Sequence, residues 1–434
     1  MQKTIRYLIY LFIFLLPWQT RWIIFDPQIN SGVWEYGRIS LYGFDIIFIL
    51  LCIMYYVLCI KQKNYSLFIT HYLLLIITLL LYYFVTFIFT DNKLISFYWF
   101  LRIIQGFLLF YIINKIDFDK IKLVWAFIIS MSLSASLGIY QFLTQSAFAF
   151  KWLGLASHSA NILGDSVVEL AGERWLRAYG SFPHPNILAG FCVVAFIFCF
   201  YLFNKYNEFN LKKFLLITNY SLLITGLFFT FSRAAWLAFL LIIFYYIFFK
   251  SVIPTKVGIQ KLDSGLRRND KGDKNKKFIA CVLLVAFCIL SVIYFPLVKT
   301  RIVGAERLEV KSNIERMSSY NQAVKIIKNN LLLGTGLGNY TVELQKIYSD
   351  KPAYFYQPAH NVYLLVFSEI GIIGVVFILI LLIYFLKKYS IKNTDYLLLI
   401  TIFFFLFFFD HFWWTLPSGL LLVFLVFGFL NKQD

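Results

Sequence analysis

YLLLIITLLLYYFVTFIF, residues 72–89, decides the fold of this chain. It is eighteen residues without a charge, close to the ~20 that an α-helix needs to cross a ~30 Å hydrocarbon core. It does not alternate, as a barrel strand of about ten residues would. A helix satisfies its own backbone hydrogen bonds inside lipid, so runs of this kind read as membrane-spanning helices. Similar runs recur near residues 5–17, 41–60, 65–90, 95–114, 123–147, 184–204, 212–231, 234–250, 278–297, 361–386, 395–410 and 412–430. The expected fold is all-α: a polytopic integral membrane protein of about twelve spans, one membrane domain over residues 1–434.

Composition agrees. The chain is 60% hydrophobic and only 14% charged, against roughly 25% charged in soluble domains. Its net charge of +18 does not point to nucleic acid, because most of the Lys and Arg lie in loops between apolar runs, where they orient helices and meet anionic lipid. All six cysteines (Cys52, Cys59, Cys192, Cys199, Cys281, Cys288) fall within apolar segments, as packing residues do. The first apolar run is followed by PWQTRW rather than a small-residue cleavage site, so it reads as a retained helix.

Loop charge gives the orientation. Lys61, Lys63, Lys115, Lys120, Lys122, Lys205, Lys212, Lys213, Lys387, Lys388 and Lys392 lie on one side, with the strongly basic segment Lys250–Lys277. The positive-inside rule makes that side cytoplasmic, and an even number of spans puts both termini there. Residues 251–277 are expected to be a basic cytoplasmic loop; their mixed, polar composition resembles an inserted repeat element or a plain linker, and no chemistry is assigned to them. The opposite, periplasmic side receives residues 18–40, a loop at 148–183 and a large loop at 298–360 containing short helices. Its short-loop cations are mostly arginines: Arg21, Arg38, Arg174, Arg177 and Arg233. A planar guanidinium fork suits phosphate and carboxylate, so arginines on the disfavoured side point to an anionic ligand.

Four stretches carry possible chemistry. In RAYGSFPHPNILAG, Arg177–Gly190, the prolines bar a continuous helix, and the helix that follows offers free N–H groups to an anion beside Arg177. The plainer reading is a capping Asn186 and a snorkelling arginine. In FFTFSRAAWLAFL, Arg233 interrupts almost forty apolar residues; at depth it needs a partner or a cavity, and at the interface it snorkels. Arg102 poses the same question inside the fourth span. SNIERMSSYNQAVKIIKNN places Tyr320, Val324, Ile327 and Leu331 at helical spacing, an amphipathic helix for the membrane surface. GTGLGNY follows; its spacing is wrong for a dinucleotide loop, and it reads as a turn that re-aims the chain.

The fourth stretch is QPAHNVYLLVFSEIGIIG. His360 stands where the large loop re-enters the membrane, and histidine's proton affinity suits general-base chemistry near neutral pH. His411, beside Asp410 in DHFWWTLPSG, is the alternative, while His71 and His158 have no evident partner. No H-E-x-x-H or carboxylate cluster appears, so neither a metal nor another cofactor is expected.

In order along the chain, PWQTR, RAYGSFPHPN, FSRAAWLAFL, RMSSYNQAVKIIKNNLLLGTGLGNY and PAHNVYLLVFSEIGIIG resemble the O-antigen ligase and polymerase superfamily. The resemblance spans nearly the whole chain and rests on the order of motifs, none of which is specific alone. It implies a glycosyltransferase that moves a glycan from undecaprenyl pyrophosphate to an acceptor hydroxyl at the periplasmic face of the bacterial inner membrane, without metal. By the same resemblance Arg177 and Arg233 bind the donor pyrophosphate and His360 activates or positions the acceptor, with Arg38, Arg174, Arg316 and His411 as further possible site residues. Lipid A–core is the expected acceptor, as for a ligase. A polymerase would use a second lipid-linked repeat, and a protein O-oligosaccharyltransferase a Ser or Thr; the chain's end just after its last apolar run speaks against the latter. A lipid-linked glycan transporter would bind the same anion without chemistry, but no internal repeat marks the chain as one.

Overall fold

The computed structural model describes residues 1–61, 73–203, 205–206, 210–249, 264–388 and 394–431. Lys63, His71, Lys250, Lys392 and residues 251–263 of the basic segment lie outside the described residues.

The chain is mostly helical. In order run α1 (Gln2–Leu15), α2 (Gly43–Lys61), α3 (Leu73–Phe89), α4 (Lys93–Lys115), α5 (Lys120–Thr144), α6 (Pro185–Phe203), α7 (Leu211–Phe229) and α8 (Arg233–Phe244). Then come α9 (Ser264–Ile293), α10 (Phe295–Val303), α11 (Arg307–Asn329), α12 (Tyr340–Ile347), α13 (Val362–Lys388), α14 (Thr394–Phe407), α15 (Phe412–Thr415) and α16 (Pro417–Asn431). Among the described residues, seven segments are long and apolar enough to cross a membrane: Gly43–Lys61, Lys93–Lys115, Lys120–Thr144, Pro185–Phe203, Leu211–Phe229, Asn275–Ile293 and Val362–Lys387. Shorter apolar helices include Arg233–Phe249, Asp395–Phe407 and Pro417–Leu430. This is a polytopic helical membrane protein.

Local sequence sets the helix starts. Asn92, Asp119 and Asn210 cap α4, α5 and α7 by accepting from free backbone N–H groups, and prolines open α6 and α16. Apolar on all sides, α6 is 94% buried along its length and forms the axis of the bundle. The outer helices turn residues such as Ile46, Ile49 and Ile53 outward. Arg102 is neither in a cavity nor snorkelling: its guanidinium is buried on α4, 2.6 Å from Asp45, and also meets Gln105 and the Ser40 carbonyl, the pairing that an intramembrane cation demands.

The loops hold short antiparallel hairpins that helical periodicity does not predict. Arg21–Phe25 (β1) pairs with Ile39–Tyr42 (β4) around the two-residue pair Gln28–Ile29 (β2) and Gly32–Val33 (β3). Ser146–Ala147 (β5) pairs with His158–Ser159 (β6), and Val167–Leu170 (β7) with Glu173–Leu176 (β8). The segment expected as a large loop with short helices contains α11, at 23 residues anything but short. Its buried face is Ser319, Ala323 and Ile326, one residue out of phase with the expected stripe, so Val324 and Leu331 face outward. The loops converge at one end of the bundle: Asn30 donates to the Lys351 carbonyl at 2.6 Å, and Arg307 meets Glu169 at 3.0 Å.

GTGLGNY does re-aim the chain, and it locks onto a break in α13. Gly371 there has φ +60, and a Cβ on it would sit 2.3 Å from the Leu332 carbonyl oxygen. In return the Thr335 and Gly336 N–H groups donate to the Ser368 and Glu369 carbonyls that the break leaves free, at 2.9 and 2.8 Å. Trp414 Nε1 donates to the Glu369 carboxylate at 2.8 Å, which gives this buried acid a structural partner.

Candidate functional site

The turn Thr230–Ser232, between α7 and α8, organises the site. Phe231 adopts φ +48, a conformation that a bulky residue holds only where its surroundings impose it. Two arginines do so. Arg177 Nε donates to the Thr230 carbonyl at 2.6 Å, and Arg301 Nε to the Phe231 carbonyl at 3.0 Å. The next residue, Arg233, begins α8 and reaches Asn313 at 3.0 Å and Glu309 at 3.6 Å. Ser232 gives α8 no side-chain cap, so the helix presents free N–H groups and the positive end of its dipole.

The α8 N-terminus lines a small, solvent-open cavity, with Arg233, Arg301, Arg316, Asn186 and Asp410 among its walls. Arg177 adjoins it, buried, its terminal nitrogen donating to Asn186 at 2.7 Å. Burial first, and then the neighbouring Arg301, push the Arg177 guanidinium well below its ordinary range; burial likewise lowers Arg301 despite its Glu309 partner. A guanidinium stays protonated even so, so the strain amounts to uncompensated positive charge. Among the described residues, the Arg316 guanidinium meets no acceptor. Four guanidiniums face two carboxylates, Glu309 and Asp410, leaving an excess of two positive charges.

On the other side of Asp410 stand the histidines. Asn186 Nδ2 donates to Asp410 Oδ2 at 2.9 Å, and the His411 backbone N–H donates to Oδ1 at 2.8 Å. His360 Nδ1 lies 3.5 Å from the same Oδ1. Burial works against the Asp410 charge, but the His360 contact and the surrounding histidines hold its carboxyl well below the usual range. His411 packs 5.2 Å from the His360 ring and edge-on to Tyr36, and its Nδ1 is 2.6 Å from the Thr415 hydroxyl. Burial lowers His411 to about 4, and burial followed by Arg177 lowers His184 to about 3; both are neutral at pH 7. His360 is the more open of the Asp410 pair, its side chain 27% exposed. Asn361 caps α13 through the Leu364 N–H, which fixes where the loop ends and the His360 ring points.

The structure therefore links Arg177, Arg233 and His360 through Asn186, Asp410 and the wall of one cavity. Arg316 and His411 join them. Arg38 does not: it is held by Asp26 at 2.6 Å and by Glu35. Arg174 does not either, its donors being spent on the Ala160 and Ile162 carbonyls. His158 has a partner that sequence did not show, Asp165 at 2.7 Å, but away from the cavity. Sequence reasoning missed Arg301 and Glu309, one Arg and one Glu in an ordinary polar stretch, gave Asn186 only a capping role and gave Asp410 none. The Asp–His pair in DHFWW was the one available signal for Asp410.

Ligand atoms of His360, Asp410 and His411 lie within 4.8 Å of one another and could hold a metal ion. Asp410 already takes hydrogen bonds from Asn186 and the His411 backbone, whereas His360 Nδ1, 3.5 Å from it, makes none.

Residues 219–379 match the family described as O-antigen ligase (Wzy_C). This part of the chain is similar to the O-antigen ligase family. The matched segment runs from within α7 to within α13 and carries Arg233, Arg301, Glu309, Arg316 and His360, whereas Arg177 and Asp410 fall outside it. No curated protein matches the chain. The O-antigen ligase family and the apolar helices together support a multi-pass bacterial membrane protein that transfers glycan in O-antigen or lipopolysaccharide assembly.

Proposed function

We propose that the protein transfers a glycan from undecaprenyl pyrophosphate to the hydroxyl of an acceptor, lipid A–core in the ligase manner, at the periplasmic face of the inner membrane. The observation that carries this is the arginine cradle at the α8 N-terminus with His360–Asp410 beside it. Twelve crossings, with both termini in the cytoplasm, would put this end of the bundle outside; they require α1, α3, α8, α14 and α16 to span as well. Residues 148–183 and 298–360 would then be periplasmic loops, and the basic segment 251–277, helical from Ser264 onward as the start of α9, would be cytoplasmic.

The chemistry follows from charge. The acceptor oxygen attacks the anomeric carbon as the bond from that carbon to the phosphate oxygen breaks, and the electron pair leaves on undecaprenyl pyrophosphate. Fixed guanidiniums and helix N–H groups stabilise that growing charge without reorganising. His360 takes the hydroxyl proton, and Asp410 orients the ring and stabilises the imidazolium that forms. Direct displacement inverts the anomeric centre. No step needs a metal or other cofactor.

Purified protein given a synthetic undecaprenyl-pyrophosphate glycan tests this, with lipid A–core, repeat-unit lipid and a Ser/Thr peptide as separate acceptors. Transfer to lipid A–core supports the ligase reading. Transfer to another acceptor moves the protein to the polymerase or protein-glycosylating type, and donor binding without transfer makes it a transporter.

A further inference from the structure

Of the two carboxylates in the arginine cradle, the mechanism above uses Asp410 and leaves Glu309 unused. Glu309, on the first turn of α11, is 2% exposed. One of its oxygens is paired with Arg301. The other, Oε2, has no hydrogen-bond partner and faces Arg233 at 3.6 Å. Burying a carboxylate is costly unless every oxygen is satisfied, and a cradle built only to hold an anion would do better without one. Glu309 instead occupies the two guanidiniums that an incoming phosphate needs.

The charges give it a purpose. A lipid-linked glycan diphosphate is a diester and carries two negative charges, which match the cradle's excess of two. Breaking the bond to the sugar frees a terminal phosphate, whose second ionisation lies near neutrality. The polyprenyl diphosphate left behind therefore gains up to one further negative charge. Without a counterweight, the product would bind the arginines better than the substrate does.

We propose that Glu309 is a charge-matching residue that makes the cradle prefer the glycan-bearing diphosphate diester to the free polyprenyl diphosphate, and so discharges the product. This rests on the donor assignment proposed above. Glu309 opposes the added charge through Arg301, buried nearly as deeply as Glu309 itself, and less strongly through Arg233, which water partly screens.

The test compares two probes on the full chain in nanodiscs: farnesyl diphosphate, a monoester, and a glycosyl-diphospho-farnesol, a diester. Wild type is expected to bind the diester at least as tightly as the monoester. Glu309→Gln keeps an oxygen for Arg301, and is expected to swing the ratio of affinities toward the monoester on the order of ten-fold, with stronger product inhibition of turnover. An unchanged ratio in Glu309→Gln overturns the proposal, even if both affinities move together, since a structural role would weaken both. If that variant does not fold, wild type alone decides: a monoester bound about ten-fold tighter than the diester contradicts charge matching. Wild type that binds neither probe defeats the donor assignment itself, and the proposal with it.

Discussion

Replacing Asp410 with Asn tests how the histidine is made into a base. In wild type the carboxylate stands 3.5 Å from His360 Nδ1. At that distance, and at an effective dielectric of about 20, Coulomb's law gives an attraction of about 5 kcal/mol for the imidazolium formed during transfer. The His360 side chain is 27% exposed, so water screens part of this, and about half is a reasonable remainder. At 1.36 kcal/mol per decade, kcat should fall by roughly 30- to 100-fold. Asn keeps one oxygen, enough for the hydrogen bond from the His411 backbone but not also for the one that Asn186 gives to the second carboxylate oxygen, so the variant should fold with a somewhat lower thermal midpoint, which provides the check. Donor KM should stay level or drop, because the cradle loses a negative charge. The assay is multiple-turnover glycan transfer with saturating donor and acceptor. A folded Asp410→Asn protein whose kcat stays within about three-fold of wild type would refute the orienting and stabilising role.

Arg233→Ala should weaken donor binding by about 10- to 100-fold, the usual loss for a charge-assisted hydrogen bond, whereas Arg38→Ala should leave it unchanged; equal effects would mean the cavity is not the donor site. Free histidine titrates near 6.5, while His184 and His411 are held at about 3 and about 4 in the fold. The unfolded chain then binds protons that the folded one refuses, so their stabilising contribution is full above about pH 6.5 and is lost as pH falls toward 4 and then 3. Thermal melts in detergent should show the midpoint falling across that window, and less steeply in His184→Gln. Gly371→Ala should lower the midpoint by several degrees, because φ is +60 and the new Cβ would meet the Leu332 carbonyl at 2.3 Å. Gly43→Ala, whose Cβ has nothing nearer than 3.6 Å, should not.

Much of this was legible in the sequence, and the parts that were not share a cause. Apolar length alone locates helices, since lipid leaves the backbone no alternative. It does not register the hairpins of residues 21–42 and 146–176, whose strands are two to five residues long and owe their pairing to loops packed together. The phase of α11 was misread because its apolar residues occupy two faces. Ala323 and Ile326 pack on the body, whereas Ile314, Met317 and Val324 are exposed. Arg177, Arg233 and His360 stood out because each sits in a sequence context that makes its residue type conspicuous. Arg301 and Glu309 lie in an ordinary polar run, and only the turn at Phe231 gathers them. Arg38 and Arg174 looked like the other arginines on the same side, but nearby carboxylates and carbonyls take up their donors.

The central claim is that one cavity binds the donor diphosphate and hands its glycan to a hydroxyl activated by His360. The most direct measurement is a single-turnover experiment with enzyme in excess over a synthetic undecaprenyl-pyrophosphate glycan, following transfer to lipid A–core and donor binding together in wild type and His360→Ala. Both proteins are expected to bind the donor equally, and only wild type to transfer the glycan at an appreciable rate. Transfer by His360→Ala at the wild-type rate would contradict the claim.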